Sequence, residues 1–255
     1  PLTAVSSVPA AVPTDCLPER RGNALSEPMP IQTGEELPIE KMPNLRLFYR
    51  KRGRAKYISH LDITRCMQRS LKRAGLPVWY TQGFNPHMYM TFALPLALGY
   101  ESDYECMDLR FTHLMDFSEI QTRLNAALPR DIQVWKVDFQ KEKPRAITQA
   151  DYRLTVYSKD PAQFWQDFSS FCAQPEILTQ KRTKKGMKTV DLKPEFTLLN
   201  HEIQKETCIL TLRTTAGERN FNPTLLTDAF WTTSGQQGYV QVLRTAVYAG
   251  EKLFE

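Results

Sequence analysis

Apolar and polar side chains alternate along residues 44–140, and their period changes several times. In LRLFYR, Leu45, Leu47 and Tyr49 fall on one face and Arg46, Phe48 and Arg50 on the other, which predicts a strand. RAKYI, residues 54–58, continues that strand or returns it. A helical period follows over about residues 59–74, with Ile63, Cys66, Met67, Ser70, Leu71 and Ala74 facing inward. Ser59 is placed to cap this helix, with Asp62 three residues on, and Gly75 and Pro77 end it. PVWYT and HMYMTFALPL read as strand, turn and strand, DYECMDLRF as a strand, DFSEIQTRLNAAL as a helix and DIQVWKVDF as a closing strand. The order β-α-β-β-α-β is the ferredoxin-like arrangement.

Residues 150–255 repeat that order more loosely. DYRLTVYS predicts a strand and DPAQFWQDFSSFCAQ a helix. EILTQKRTKKGMKTVDL predicts two strands joined by a basic hairpin around Lys185 and Gly186. ETCILTLRT, NPTLLTDAFW and YVQVLRTAVYA predict strand, short helix and strand. The expected fold class is therefore α+β, two tandem ferredoxin-like units with antiparallel sheets. A flexible arm precedes them: residues 1–43 hold eight of the seventeen prolines and no sustained apolar period. A linker of this kind, opening at Pro1, implies something upstream.

Charge sharpens this picture. The net charge is only +5, but Arg46–Arg73 carries ten bases against Asp62 alone, and Lys181–Lys193 carries six against Asp191 alone. Two basic concentrations on an acidic background suggest a polyanion footprint; solvated faces are the plainer reading. The residues expected to grip phosphates are Arg50, Lys51, Arg52, Arg54, Lys56, Arg65, Arg69, Arg73, Lys181, Arg182, Lys184 and Lys185. Arg65, Arg69 and Arg73 form one stripe at helical spacing. Phe48 is either an exposed stacking platform between Arg46 and Arg50 or part of the core. No run of 18 apolar residues is present, so no membrane span is expected. The five cysteines, all more than ten residues apart, suit buried thiols of a cytoplasmic protein rather than a metal or iron–sulfur site.

Two histidines stand in and after the first basic region. His60 opens the predicted helix and His87 follows a Gly83-Phe84-Asn85-Pro86 turn that offers a substrate loop. The helix N-terminus suits a phosphate. With Lys56 nearby, one histidine would take a 2′-hydroxyl proton, the other would protonate the leaving oxygen, and the lysine would stabilise the phosphorane. Local packing and turn hydrogen bonds are the structural alternative. Ser59 and Asp62 read as capping residues. Asp103 and Asp108 read as solvent-facing. Glu105 shares the apolar face of its strand and needs a partner, for which an arginine of the first helix is the expectation.

FYRKRG, SHLD, KRAGLP, QGFNPH and LPLALG stand in this order, and TKKGMKTVDLKP follows in the second half. Together they resemble the signature of the DUF2344 family, the radical SAM-linked proteins, over about residues 44–200. The resemblance implies a system in which a radical SAM enzyme, fused or encoded nearby, acts beside ribonuclease and ribosomal-protein genes. S-adenosylmethionine and an iron–sulfur cluster would belong to that partner or upstream module. The cluster motif C-x-x-x-C-x-x-C is absent from this chain, and only Cys16 stands where fused members carry a Cys-rich segment. The expected function is an RNA-binding accessory domain presenting ribosomal or transfer RNA to the radical enzyme. A metal-independent endoribonuclease using His60 and His87, and a protein–protein adaptor for the radical SAM partner, are the alternatives.

Overall fold

The computed structural model describes residues 41–183 and 186–255. The proposed arm lies outside the described residues except for its last three positions, and so do Lys184 and Lys185 of the basic hairpin.

The first half contains β1 (Leu45–Lys51), α1 (His60–Arg73), β2 (Met90–Phe92), β3 (Glu101–Leu109), α2 (Phe117–Ala127) and β4 (Ile132–Phe139). The second half contains β5 (Gln149–Tyr157), α3 (Pro161–Cys172), β6 (Leu178–Thr183), β7 (Gly186–Asp191), β8 (Phe196–Ile203), β9 (Thr207–Thr215), α4 (Thr224–Ser234), β10 (Tyr239–Ala249) and β11 (Lys252–Leu253). This is a mixed α+β architecture with four α-helices among the described residues. Nine strands make one sheet in the order β4-β1-β3-β10-β5-β9-β8, with β2 also on β3 and β11 on β10. Every pairing is antiparallel except β10 with β3, where Leu243 meets Glu101 and Arg244 meets Ser102. That short parallel ladder makes the sheet continuous through both halves.

The alternation in β1 survives, but both faces are buried: Leu45, Leu47 and Tyr49 join the core under α1 and α2, while Phe48 joins the core of the second half. Phe48 is thus core, not an exposed stacking platform. Helix α1 keeps its expected signals. The Asp62 N–H donates to Ser59 Oγ at 3.2 Å, and the Ser59 hydroxyl donates to the Asp62 carboxylate at 2.7 Å. At the other end Gly75 adopts φ +61°, its N–H donates to Lys72 O, and the Leu76 N–H donates to Leu71 O. These two bonds close a Schellman cap, for which glycine is suited.

Four expectations need correction. RAKYI neither extends nor returns β1: Gly53–Tyr57 forms a 3₁₀ turn. PVWYT contributes only isolated bridges, Val78 to Phe111 and Tyr80 to Met88. The hairpin β6–β7 pairs with itself and stays out of the main sheet. Its place there is taken by β8, whose largely exposed FTLLNHEI gives no alternating signal. No helix among the described residues is long and apolar enough to cross a membrane.

Candidate functional site

The turn after β1 gathers bases from several segments. Asp131, from the α2–β4 loop, holds that turn: its carbonyl accepts the Arg52 N–H at 2.8 Å and its carboxylate accepts the Arg54 N–H at 3.1 Å. The Gly53 N–H donates to Glu101 at 2.9 Å. Arg52 then reaches Asp103 through Nε at 2.9 Å and Glu101 through Nη1 at 3.4 Å. It lines two adjoining clefts. One, of about 170 Å³, also takes in Lys56, Glu101, Arg153, Thr155 and Gln241. The other, of about 460 Å³, takes in Arg50, Asp103, Arg130, Asp131 and Gln133. Arg130 and Arg153 are exposed and have no carboxylate partner among the described residues. The clefts therefore combine five bases with three carboxylates. Arg54 projects into solvent with 97 % of its side chain exposed.

Sequence reasoning missed Arg130 and Arg153 because neither lies in a basic run. The signal for Arg153 was nevertheless present. DYRLTVY alternates, and with Tyr152, Leu154 and Val156 buried, Arg153 must face the other way.

The arginine stripe of α1 is divided. Arg65 and Arg69 are exposed, Arg65 pairing with Asp62 at 3.3 Å. Arg73 is spent on structure: its Nη2 donates to the Ala127 carbonyl at 2.7 Å and ties α1 to the end of α2. The hydrogen bond from Ser59 holds the Asp62 carboxyl below its ordinary pKa, assisted by Arg65. Lys181 and Arg182 lie on β6, which pairs with β7 outside the main sheet.

The Gly-Phe-Asn-Pro loop is closed by the Thr81 N–H to His87 O bond of 2.8 Å. Its base is braced by Arg110 between Trp79 and Tyr89, with ring distances of 5.3 and 5.2 Å. Gly83 turns the chain at φ +126°, a conformation essentially reserved for glycine. Phe84 is 100 % exposed, and Asn85 and Pro86 are exposed beside it. His87 Nδ1 lies 3.0 Å from Thr81 Oγ1 and 3.2 Å from Asn85 O. His60 instead stands edge-on to Phe92, ring centroids 5.0 Å apart. No hydrogen bond or ring contact joins the two histidines, and no carboxylate pairs with either, among the described residues.

Lys51, expected in the outer basic run, is buried with 4 % exposure. It lines a narrow pocket with Tyr49, His60, Phe92, Leu96 and Glu105. Glu105 is buried as anticipated, but its partner is Arg244 of β10 rather than an arginine of α1. The Arg244 guanidinium, held by Glu105, also donates to Leu94 O at 2.7 Å. Asp108, expected in solvent, is likewise buried: it takes Arg46 at 2.6 and 2.8 Å and Gln140 at 2.6 Å. The segments FYRKRG, SHLD and LPLALG thus meet at one pocket, contributing Lys51, His60, and Pro95 with Leu96. No group of three or more His, Cys, Asp or Glu among the described residues is arranged to hold a metal.

The family model described as an uncharacterized protein conserved in bacteria (DUF2344) matches residues 44–223. No curated protein matches the sequence. Among solved structures, one titled as a crystal structure of a Cbf5-Nop10-Gar1 complex matches with a TM-score of 0.44 and 12% identity, over 84% of this chain and 52% of that chain. The matched part of this chain thus spans about half the length of that chain.

Proposed function

Because the chain belongs to the DUF2344 family of proteins conserved in bacteria, we propose that it is an RNA-binding accessory domain that presents RNA to a radical SAM enzyme. The observation that carries the RNA reading is the convergence of Arg50, Arg52, Lys56, Arg130 and Arg153 on two adjoining clefts. Separate chain segments supply bases to one surface, as a phosphate backbone requires. Exposed Arg65 and Arg69 on α1 add further bases, and Phe84 offers a ring on which a base stacks. We read β1-α1-β2-β3-α2-β4 and β5-α3-β8-β9-α4-β10 as two ferredoxin-like units, with β6–β7 inserted in the second. The radical SAM partner rests on the family resemblance; it would carry S-adenosylmethionine and the iron–sulfur cluster, and the RNA would be ribosomal or transfer RNA.

Binding to ribosomal and transfer RNA across a salt series tests this reading, with an Arg65→Ala/Arg69→Ala variant beside the wild type. The expected result is saturable binding at physiological salt, with a steep salt slope that the variant flattens by about one unit for each phosphate it no longer neutralises. Absence of binding at physiological salt would contradict the RNA role and leave the adaptor. RNA fragments that vanish in the His60→Ala variant would turn the accessory domain into a nuclease.

A further inference from the structure

The pocket beneath α1 is lined by Lys51 and Glu105, and the Glu105 carboxylate is also bound by Arg244 from outside the lining. Lys51 sits at the end of β1, and among the described residues its ammonium makes one hydrogen bond, a long one of 3.4 Å to Ile58 O. The nearest acid lining the pocket, Glu105, is engaged by Arg244. Both cations and the carboxylate are at least nine-tenths buried: Lys51 4 %, Arg244 1 % and Glu105 4 % exposed. Tyr49 and Tyr152 add no negative charge, because burial pushes both phenols above their ordinary pKa. One positive charge is therefore left without a counter-ion in a site where desolvation makes such a charge costly. Burial lowers the pKa of Lys51, against an opposing pull from Glu105 that Arg244 partly offsets. Arg244 Nε is also buried without a hydrogen-bond partner.

The pocket is shaped for very little. Its volume is about 10 Å³, the room of one water or one oxygen atom. Its walls are Tyr49, Ile63, Phe92 and Leu96, and its rim includes His60 and Pro95, both exposed. A ligand can place one atom inside and must keep the rest outside, against the first turn of α1, where the helix dipole is positive.

We propose that Lys51 is the receptor for one oxyanion: a carboxylate or phosphoryl oxygen that enters past His60 and supplies the missing negative charge. Arg244, fixed by Glu105 and Leu94, neutralises the carboxylate that lines the pocket, and His60 donates to the part of the anion left at the rim. This site is independent of the basic clefts and does not rest on the RNA reading.

Thermal unfolding of the purified chain tests the assignment. Inorganic phosphate and acetate are titrated separately at constant ionic strength, on the wild type and on the Lys51→Met and His60→Gln variants. Lys51→Met keeps the length of the side chain and removes the unmatched charge, so in anion-free buffer it unfolds at or above the wild-type midpoint. The wild type shows a saturable rise in midpoint with at least one anion, as binding to the folded state alone requires. That rise is absent in Lys51→Met and reduced in His60→Gln. A response to phosphate alone identifies a phosphoryl ligand, and a response to acetate alone a carboxylate. No saturable rise in the wild type, an equal rise in Lys51→Met, or a lower anion-free midpoint for Lys51→Met overturns the proposal. RNA affinity and its salt slope stay unchanged in Lys51→Met, which separates this site from the basic clefts.

Discussion

Two buried arginines lie in the same sheet, and their surroundings differ. Arg46, 0 % exposed, makes two bonds to Asp108, donates to Glu142 O at 2.6 Å and lies 4.0 Å from the Phe254 ring. Its charge is matched one to one. Arg244 shares Glu105 with a region that also buries Lys51. The first arrangement is matched in charge, although Arg46 Nη1, like Arg244 Nε, is buried without a hydrogen-bond partner; it is covered by the C-terminal segment, where Tyr104 donates to Phe254 O at 3.0 Å. The second has an excess cation and an opening to solvent beside His60. Buried charge that is matched serves packing and register; buried charge left unmatched marks a place where a ligand's charge has room to act.

Removing one partner from the matched pair has the largest expected effect. Asp108→Ala strands Arg46 in the core and should cost about 3–5 kcal/mol in denaturant unfolding. A loss under about 1 kcal/mol would mean that water reaches Arg46, erasing the contrast between the two sites. The next effect is a coupling. Glu105→Gln leaves two buried cations unmatched, and Lys51→Met should restore part of that loss, by about 0.5–3 kcal/mol in a double-mutant cycle. Lys51→Met should restore nothing to Asp108→Ala, because Asp108 binds Arg46 and Gln140 and does not line the Lys51 pocket.

A pH titration sharpens the comparison further. Burial holds Lys51 below the ordinary lysine value of 10.5. In the window between the lowered value and 10.5 the unfolded chain binds this proton more tightly than the folded one. The stability of the wild type relative to Lys51→Met therefore rises with pH through that window and levels off above it. Below the window Lys51 is charged in both states and the deficit is complete. Buried Cys172 and Cys208, pushed up to about 12 and about 11, act in the opposite sense because their folded-state thiols resist ionisation. That background is common to both proteins and cancels in the difference. A flat difference curve would show that Lys51 is not desolvated by the fold. The smallest effect on stability belongs to Phe84→Ala, within about 0.5 kcal/mol because the ring is already exposed in the folded chain. The same change should weaken RNA binding by about 1–3 kcal/mol if bases stack on the ring.

What could be read from the sequence was local. Ser59, Asp62 and Gly75 mark the ends of α1 because caps depend on a few adjacent residues. The alternation of β1 and β3 correctly put Glu105 inside. Its partner was hidden because Arg244 is 139 residues away and reaches it only through the β3–β10 pairing. Asp108 was misplaced for a related reason: alternation puts it opposite the helix-covered face, and nothing local shows that Arg46 faces it across β1 and β3. Strand β8 was missed because it lies at the end of the sheet order with one face exposed and its polar residues unsorted. The clefts were half legible. Arg50, Arg52 and Lys56 stood out as a run, whereas Arg130 and Arg153 were single bases that only tertiary structure gathers. The run also misled at Lys51, whose neighbours are exposed or half-exposed while it turns inward.

In the proposed function the gathered bases, rather than the buried lysine, form the phosphate-binding surface. The decisive experiment is the slope of log Kd against log salt for RNA, compared among the wild type, Arg130→Ala/Arg153→Ala and Lys51→Met. The double variant, which breaks no ion pair among the described residues, should flatten the slope by about two units, while Lys51→Met should keep the wild-type line. Equal slopes for the wild type and the double variant would remove the clefts from RNA binding.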